Sequence, residues 1–161
     1  MLDFFKTLKG LHPGEAMDAT LRKVQLRRWR SRDWLTVQCG GETARVRTRP
    51  ATSDAEAVWQ CFIGKQYEVP GVRDYPSHHR DAVQRAYRGI VDGGKVPLII
   101  DCGANMGASA VWFDMRYPGS KIVAVEPAAA NMELLKLNCA GRQDIIPLQA
   151  GVGGKDGSAF L

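Results

Sequence analysis

Two carboxylates, Asp101 and Glu126, each close an apolar run, and a glycine turn lies between them. The first stretch reads Val96-Pro-Leu-Ile-Ile-Asp-Cys-Gly-Ala-Asn-Met-Gly107, the second Lys121-Ile-Val-Ala-Val-Glu-Pro127. An ionised carboxylate only accepts hydrogen bonds, so it can face two hydroxyls together or sit opposite a cation. Gly103 has no Cβ to hold a ligand off the backbone and reaches dihedrals closed to other residues. Asn105 tolerates the left-handed region better than most side chains. Glu126 stands 23 residues after Gly103. An acid about 20 residues past such a glycine, at the end of the next strand, is where nucleotide-binding α/β sheets accept hydrogen bonds from ribose hydroxyls. The candidate binding set is therefore Asp101, Gly103, Ala104, Asn105, Gly107, Glu126 and Pro127. Both acids are binding groups by position, and no residue is assigned as a catalytic base.

The turn also discriminates between ligands. The dinucleotide fingerprint G-x-G-x-x-G is not met, because its three slots hold Gly103, Asn105 and Ala108. No G-x-x-x-x-G-K-[S/T] phosphate loop occurs. An acid at Asp101 suits a cationic or ammonium-bearing ligand better than a phosphate. S-adenosylmethionine carries a sulfonium, an ammonium, a carboxylate and a ribose, and no phosphate. The pair of strand-end acids favours that cofactor over NAD, and an NAD-dependent oxidoreductase is the lesser alternative. The plain alternative is a structural turn flanked by two unremarkable acids.

These residues need elements to hold them. A short apolar run such as Leu98-Ile99-Ile100 suits a strand buried on both faces. The pattern predicts strand 97–101, helix 108–117, strand 121–126, helix 128–139 and strand 144–149, with Pro118-Gly119 and Gly141 stopping the helices. Pro147 confines the third strand to an edge, so the expected order is 3-2-1, with strand 97–101 between strand 121–126 and an open or heterogeneously covered edge. The loop 150–154 would lie beside the adenine, met there by backbone or by Asp144. Upstream, residues 15–30 read as a helix. Residues 34–38 and 44–49 read as a hairpin about Gly40-Gly41, with Ala44, Val46 and Thr48 on one face. Ser53 and Glu56 suggest a capping box on a helix running to about Phe62 and ended by Gly64. Ser77 opens a helix stopped by Gly93-Gly94, expected to lie on the sheet.

Leu98-Ile-Ile-Asp-Cys-Gly-Ala-Asn-Met-Gly107, then Val125-Glu126-Pro127, Asn131, Leu134-Leu135-Lys136 and Asn138, together resemble the FkbM-type family of S-adenosylmethionine-dependent methyltransferases. Thr52 to Asp54 and Tyr67 to Pro70 resemble the stretch that precedes the sheet in that family, so the resemblance covers about residues 50–161. It implies a three-layer Rossmann-like α/β fold with a sheet of about seven strands, parallel in its first half. It also implies S-adenosylmethionine as cofactor and a hydroxyl of a sugar or natural product as methyl acceptor. The family's later Asp-x-Glu-Gly strand is not found. The expectation is thus a partial domain: a basic arm and hairpin at 1–49, pre-sheet helices at 53–93, and a cofactor-binding unit at 96–161 that lacks the acceptor half. A non-catalytic cofactor-binding or interaction module is the alternative for such a chain.

Composition narrows the partners. The 161 residues carry a net charge of +5, which belongs to residues 1–49, rich in arginine around Trp29 and Trp34. A nucleic-acid surface is one reading. A solvated helix face with the tryptophans packed inward is preferred, since no nucleic-acid-binding module is recognisable. The four cysteines, Cys39, Cys61, Cys102 and Cys139, form no C-x-x-C pair, and no metal is expected. Scattered thiols suit a reducing cytoplasm. The first eleven residues lack the features of a signal peptide.

Overall fold

The computed structural model describes residues 26–64, 66–67, 78–155 and 157. Most of the helix expected at 15–30, the Ser77 cap and the segment 68–70 lie outside them. Residues 26–29 are helical. A hairpin follows, β1 (Trp34–Cys39) and β2 (Glu42–Arg47), paired antiparallel with Leu35 opposite Val46 and Val37 opposite Ala44. Gly40 and Gly41 both take positive φ, +59° and +88°. A two-residue hairpin turn of matching twist requires this at both central positions. One face of the hairpin, Leu35, Val37, Ala44 and Val46, is buried, and Thr48 continues it. On the other face Trp34 is not packed inward as expected. It is 39% exposed, with the Arg45 guanidinium 4.8 Å from its ring centre.

Helix α1 (Asp54–Phe62) begins after Ser53, but the capping box does not form, because the Ser53 side chain makes no cap bond. Glu56 turns instead to an ion pair with Arg30. The Thr52 hydroxyl accepts the Asp54 N–H at 3.2 Å and takes over the capping task. Helix α2 (His78–Asp92) ends as expected: Gly94 has φ +69°, and the Lys95 N–H returns to the Ile90 carbonyl. It does not lie on the sheet as expected. Val83, Ile90 and Val91 are exposed, and Tyr87 anchors the helix by donating to the Pro118 carbonyl and meeting the Tyr117 ring.

The alternating units appear as β3 (Leu98–Cys102), α3 (Ala108–Arg116), β4 (Lys121–Val125), α4 (Ala129–Asn138) and β5 (Ile145–Leu148). The three strands form one parallel sheet with β4 between β3 and β5. This mixed α/β arrangement is compatible with a Rossmann-like fold. Strand β5 is paired on one side only, as Pro147 requires. Among the described residues β3 lies between β4 and an open edge. It is not buried on both faces as its apolar run suggested: Leu98 and Ile100 are 63% and 60% exposed, as Ile146 and Leu148 largely are on the same side. The opposite face of the sheet is covered. Ile122, Ala124 and Ile145 pack there with Val111, Trp112 and Met115 of α3 and Leu135 of α4. The buried hairpin face, with Val58 and Phe62 of α1, belongs to the same core. The hairpin, α1 and the βαβαβ unit thus form one packed body around the turn after β3.

Candidate functional site

The turn between β3 and α3 is stitched to the end of β4. The N–H groups of Gly103 and Ala104 both donate to the Val125 carbonyl at 2.9 Å. The backbone then passes through three left-handed positions: Gly103 at φ +87°, Asn105 at +50° and Gly107 at +91°. Glycine supplies two at no steric cost, and Asn is the side chain that tolerates the third. A Cβ built on Gly103 meets nothing within 4 Å, so the turn leaves open space there. At Gly107 it would lie 3.3 Å from Cα and Cγ of Leu135. Gly103 thus faces open space, and Gly107 lets α3 start against α4.

Asp101 is buried on the covered face of β3, with the Ser109 hydroxyl donating to its Oδ2 at 2.6 Å. Burial raises its pKa, and the Ser109 hydrogen bond opposes the rise. It is therefore a recessed acid behind the turn. In front lies a cavity of about 120 Å³ lined by Gly103, Ala104, Asn105 and Ser109, with Cys61 and Tyr67 opposite. Drug-sized ligand pockets run to roughly 300–1,000 Å³, so this one takes only a small end of a ligand. Tyr67 is held by ring contacts to Trp112 and Phe113, 5.6 and 5.0 Å between centres.

Glu126 is only 5% exposed. Its Oε2 accepts the Asn105 N–H at 2.9 Å, and its Oε1 accepts the Ala128 N–H at 2.9 Å and the Asn131 amide at 3.1 Å. Each carboxylate oxygen has about two acceptor sites. Oε1 is therefore filled by the chain itself, and Oε2 retains one. Taking two ligand hydroxyls together would require an internal donor to leave. Pro127 has no N–H to donate and puts Ala128 in place to do so. Asp144, the one side chain considered for adenine, is at the wrong end. It precedes β5 and pairs with Lys121 at the start of β4, opposite the end where Cys102 and Glu126 lie.

Several residues that sequence reasoning did not single out hold this arrangement. Arg49, just after β2, donates through Nε and Nη2 to the two oxygens of Asp54 at 2.9 Å each, and through Nη2 to Asn131 Oδ1 at 2.8 Å. Asp54 is almost wholly buried. Burial raises its pKa, but hydrogen bonds from the Arg49 side chain and backbone outweigh that and hold it below the usual carboxylate value. Asn138 is on α4 two turns after Asn131, hence on the same helix face. It joins β2 to the turn: the Arg47 N–H donates to its Oδ1, and its Nδ2 donates to the carbonyls of Arg47 and Met106. The two asparagines were noticed only as parts of a sequence pattern. Arg49 carried no local signal, and Asp54 was noticed only as an acid in the first turn of a helix within the Thr52–Asp54 pattern.

A larger cleft of about 360 Å³ lies between β2 and α4, lined by Arg47, Arg49, Asp33, Glu133 and apolar residues of α4. None of the turn residues lines it. Among the described residues no cluster of His, Cys, Asp or Glu is placed to hold a metal ion, and no helix is long and apolar enough to cross a membrane.

No protein-family profile matches the chain. It is 34% identical over 68 residues to Methyltransferase sdnD of Sordaria araneosa, across 40% of this chain and 26% of that protein. The match thus spans about a quarter of the relative's length. This similarity supports a methyltransferase family.

Proposed function

We propose that this chain carries the cofactor-binding half of an S-adenosylmethionine-dependent methyltransferase of FkbM type, acting on a hydroxyl of a sugar or natural product. The observation that carries the reading is a turn held by one strand-end acid, with the other buried behind it and open space in front. Glu126 holds the Asn105 peptide, Asp101 lies buried behind it, and open space with a small cavity faces Gly103. Each part fits a portion of that cofactor. The cavity suits the compact methionine end, and the recessed acid suits an ammonium. The remaining acceptor site on Glu126 Oε2 suits one ribose hydroxyl. A dinucleotide fits less well, because the second glycine slot, where the backbone of a dinucleotide-binding turn approaches the pyrophosphate, holds Asn105. The partial similarity to a methyltransferase points the same way.

Once bound, the cofactor supplies an electrophilic methyl group on a sulfonium for in-line attack by an acceptor oxygen. The residues of this chain bind and orient. Gly103 admits the ligand to the backbone, and Glu126 fixes both the turn and the ribose. Much of the rate of such a displacement comes from this positioning. Calorimetry with S-adenosylmethionine, S-adenosylhomocysteine and NAD tests the reading: the first two should bind and the third should not. Gly103→Val should abolish that binding and leave most of the far-ultraviolet circular dichroism intact, since the flanking strand and helix bury their own faces. Equal binding by Gly103→Val and the parent chain would remove the turn from the site.

A further inference from the structure

Arg49, Asn131 and Glu126 form a chain whose direction is set by chemistry. The guanidinium has only donors and the carboxylate only acceptors. Asn131 stands between them with one group of each kind, accepting at 2.8 Å and donating at 3.1 Å. A flip of its amide would set NH₂ against the guanidinium and oxygen against the carboxylate, so only one orientation is satisfied. Arg49 is itself held by its fork on Asp54, whose side chain is 1% exposed. At the far end, Glu126 Oε2 receives the Asn105 N–H. The corner between β2 and α1 therefore reaches the glycine turn through three side chains.

We propose that Arg49 is a positioning residue for the ligand-binding carboxylate: acting through Asn131, it fills Glu126 Oε1 and leaves Oε2 as the oxygen offered to a ligand hydroxyl. The ligand part rests on the cofactor reading above; the wiring does not. Without Arg49 the Asn131 amide loses its orientation, Oε1 keeps only the Ala128 N–H as a fixed donor, and the carboxylate is held to Asn105 less firmly. Arg49 is the charged group that acts on Glu126 from the β2–α1 corner, with Asp54 held by its fork. The turn 103–107, residues 127–130 and residues 148–150 contribute none.

The test is Asn131→Asp. The introduced carboxyl would face Glu126 where an amide now donates, and two adjacent carboxylates share one proton at raised pH. The first readout needs no ligand: the Asn105 amide proton followed by NMR from pH 5 to pH 8. The variant should show a titration that the parent chain lacks, because that N–H is bonded to Glu126 beside the introduced carboxyl. The second readout is the Kd for S-adenosylhomocysteine over the same range. The variant should bind about tenfold or more weaker at pH 8, the loss expected for one charge-assisted bond. It should approach the parent at pH 5, where the protonated carboxyl again donates. Arg49→Lys, which keeps a charge opposite Asp54 but loses the fork, gives a second check: the Asn105 amide should exchange several-fold faster with solvent.

A variant whose Asn105 amide stays flat, or an Arg49→Lys chain with unchanged exchange, overturns the wiring. A titrating amide with an affinity loss independent of pH overturns the positioning role. If the parent chain binds no S-adenosylhomocysteine while the amide titrates in the variant, the cofactor reading and the ligand part of the proposal fall and the wiring stands.

Discussion

Asn138 offers the sharpest energetic test of how the hairpin supports the site. It is 6% exposed and makes three hydrogen bonds: Arg47 N–H to Oδ1 at 2.6 Å, and Nδ2 to the carbonyls of Arg47 at 3.0 Å and Met106 at 2.8 Å. Asn138→Ala removes all three and strands one N–H and two carbonyls. At about 1 kcal/mol net per bond, with more for each group that water cannot reach, the loss is roughly 3–4 kcal/mol. That is a large part of the ~5–15 kcal/mol that holds a typical domain together. With an m-value of about 2 kcal/mol/M, the urea midpoint should fall by roughly 1.5–2 M. Asn138→Asp separates bonding from volume. Its ionised form can accept from Arg47 N–H but opposes both carbonyls, so burial holds its folded-state pKa above the unfolded value of about 3.9. The folded state then binds the proton more tightly. The destabilisation should be small near pH 4, where the acid can donate to one carbonyl, and should grow as pH rises through the folded-state pKa. Urea melts followed by circular dichroism at pH 4 and pH 7, each against the parent chain, read both effects. A loss below about 1 kcal/mol for Asn138→Ala, or a pH-independent deficit for Asn138→Asp, would refute the clamp.

Two further outcomes follow from the same geometry. Gly107→Ala combines a strained φ of +91° with a Cβ 3.3 Å from the Leu135 backbone, whereas Gly103→Ala has the strain with open space around it. Thermal melts should therefore show a loss of about 2–4 kcal/mol for the former and about 1–2 for the latter, and the opposite ranking would contradict the packing of α3 on α4. Burial pushes the Cys61 and Cys139 thiols up to about 12, while Cys102 is exposed; a disulfide reagent should modify Cys102 in the native chain and reach Cys61 and Cys139 only on unfolding, as peptide mapping of the labelled protein would show.

What could be read in advance was local. Alternation and glycine placement are short-range signals, so the hairpin, the strand–turn–helix units and the edge position of the proline strand were all legible. The apolar run 98–100 was legible only in part. Such a run says that burial would cost nothing; it does not supply a covering layer, and α3 and α4 cover one face while Leu98 and Ile100 remain exposed on the other. The capping box failed for a related reason. Ser53 and Glu56 have suitable spacing, but Arg30 competes for Glu56 across 26 residues, and the Thr52 hydroxyl takes the Asp54 N–H. Long-range polar pairs leave no periodic trace: Arg49 meets Asn131 across 82 residues, and Arg47 meets Asn138 across 91.

Glu126 shows the consequence for reading sites from sequence. Its distance from Gly103 says where its carboxylate stands, and acceptor chemistry says what it can bind. Neither says how many of its lone pairs the chain has already used. Three are taken, by Asn105, Ala128 and Asn131, so the acid that was legible as a ligand group is first of all the joint between two loops. These roles reinforce each other. A carboxylate fixed by three donors cannot turn to follow a ligand, and under the cofactor reading proposed above a hydroxyl would have to come to the one site left on Oε2. An acid free to rotate would reach more hydroxyls, at the entropic cost of ordering itself for each. Under that reading, the same bonds that make Glu126 a poor acceptor of two hydroxyls would make it a selective acceptor of one.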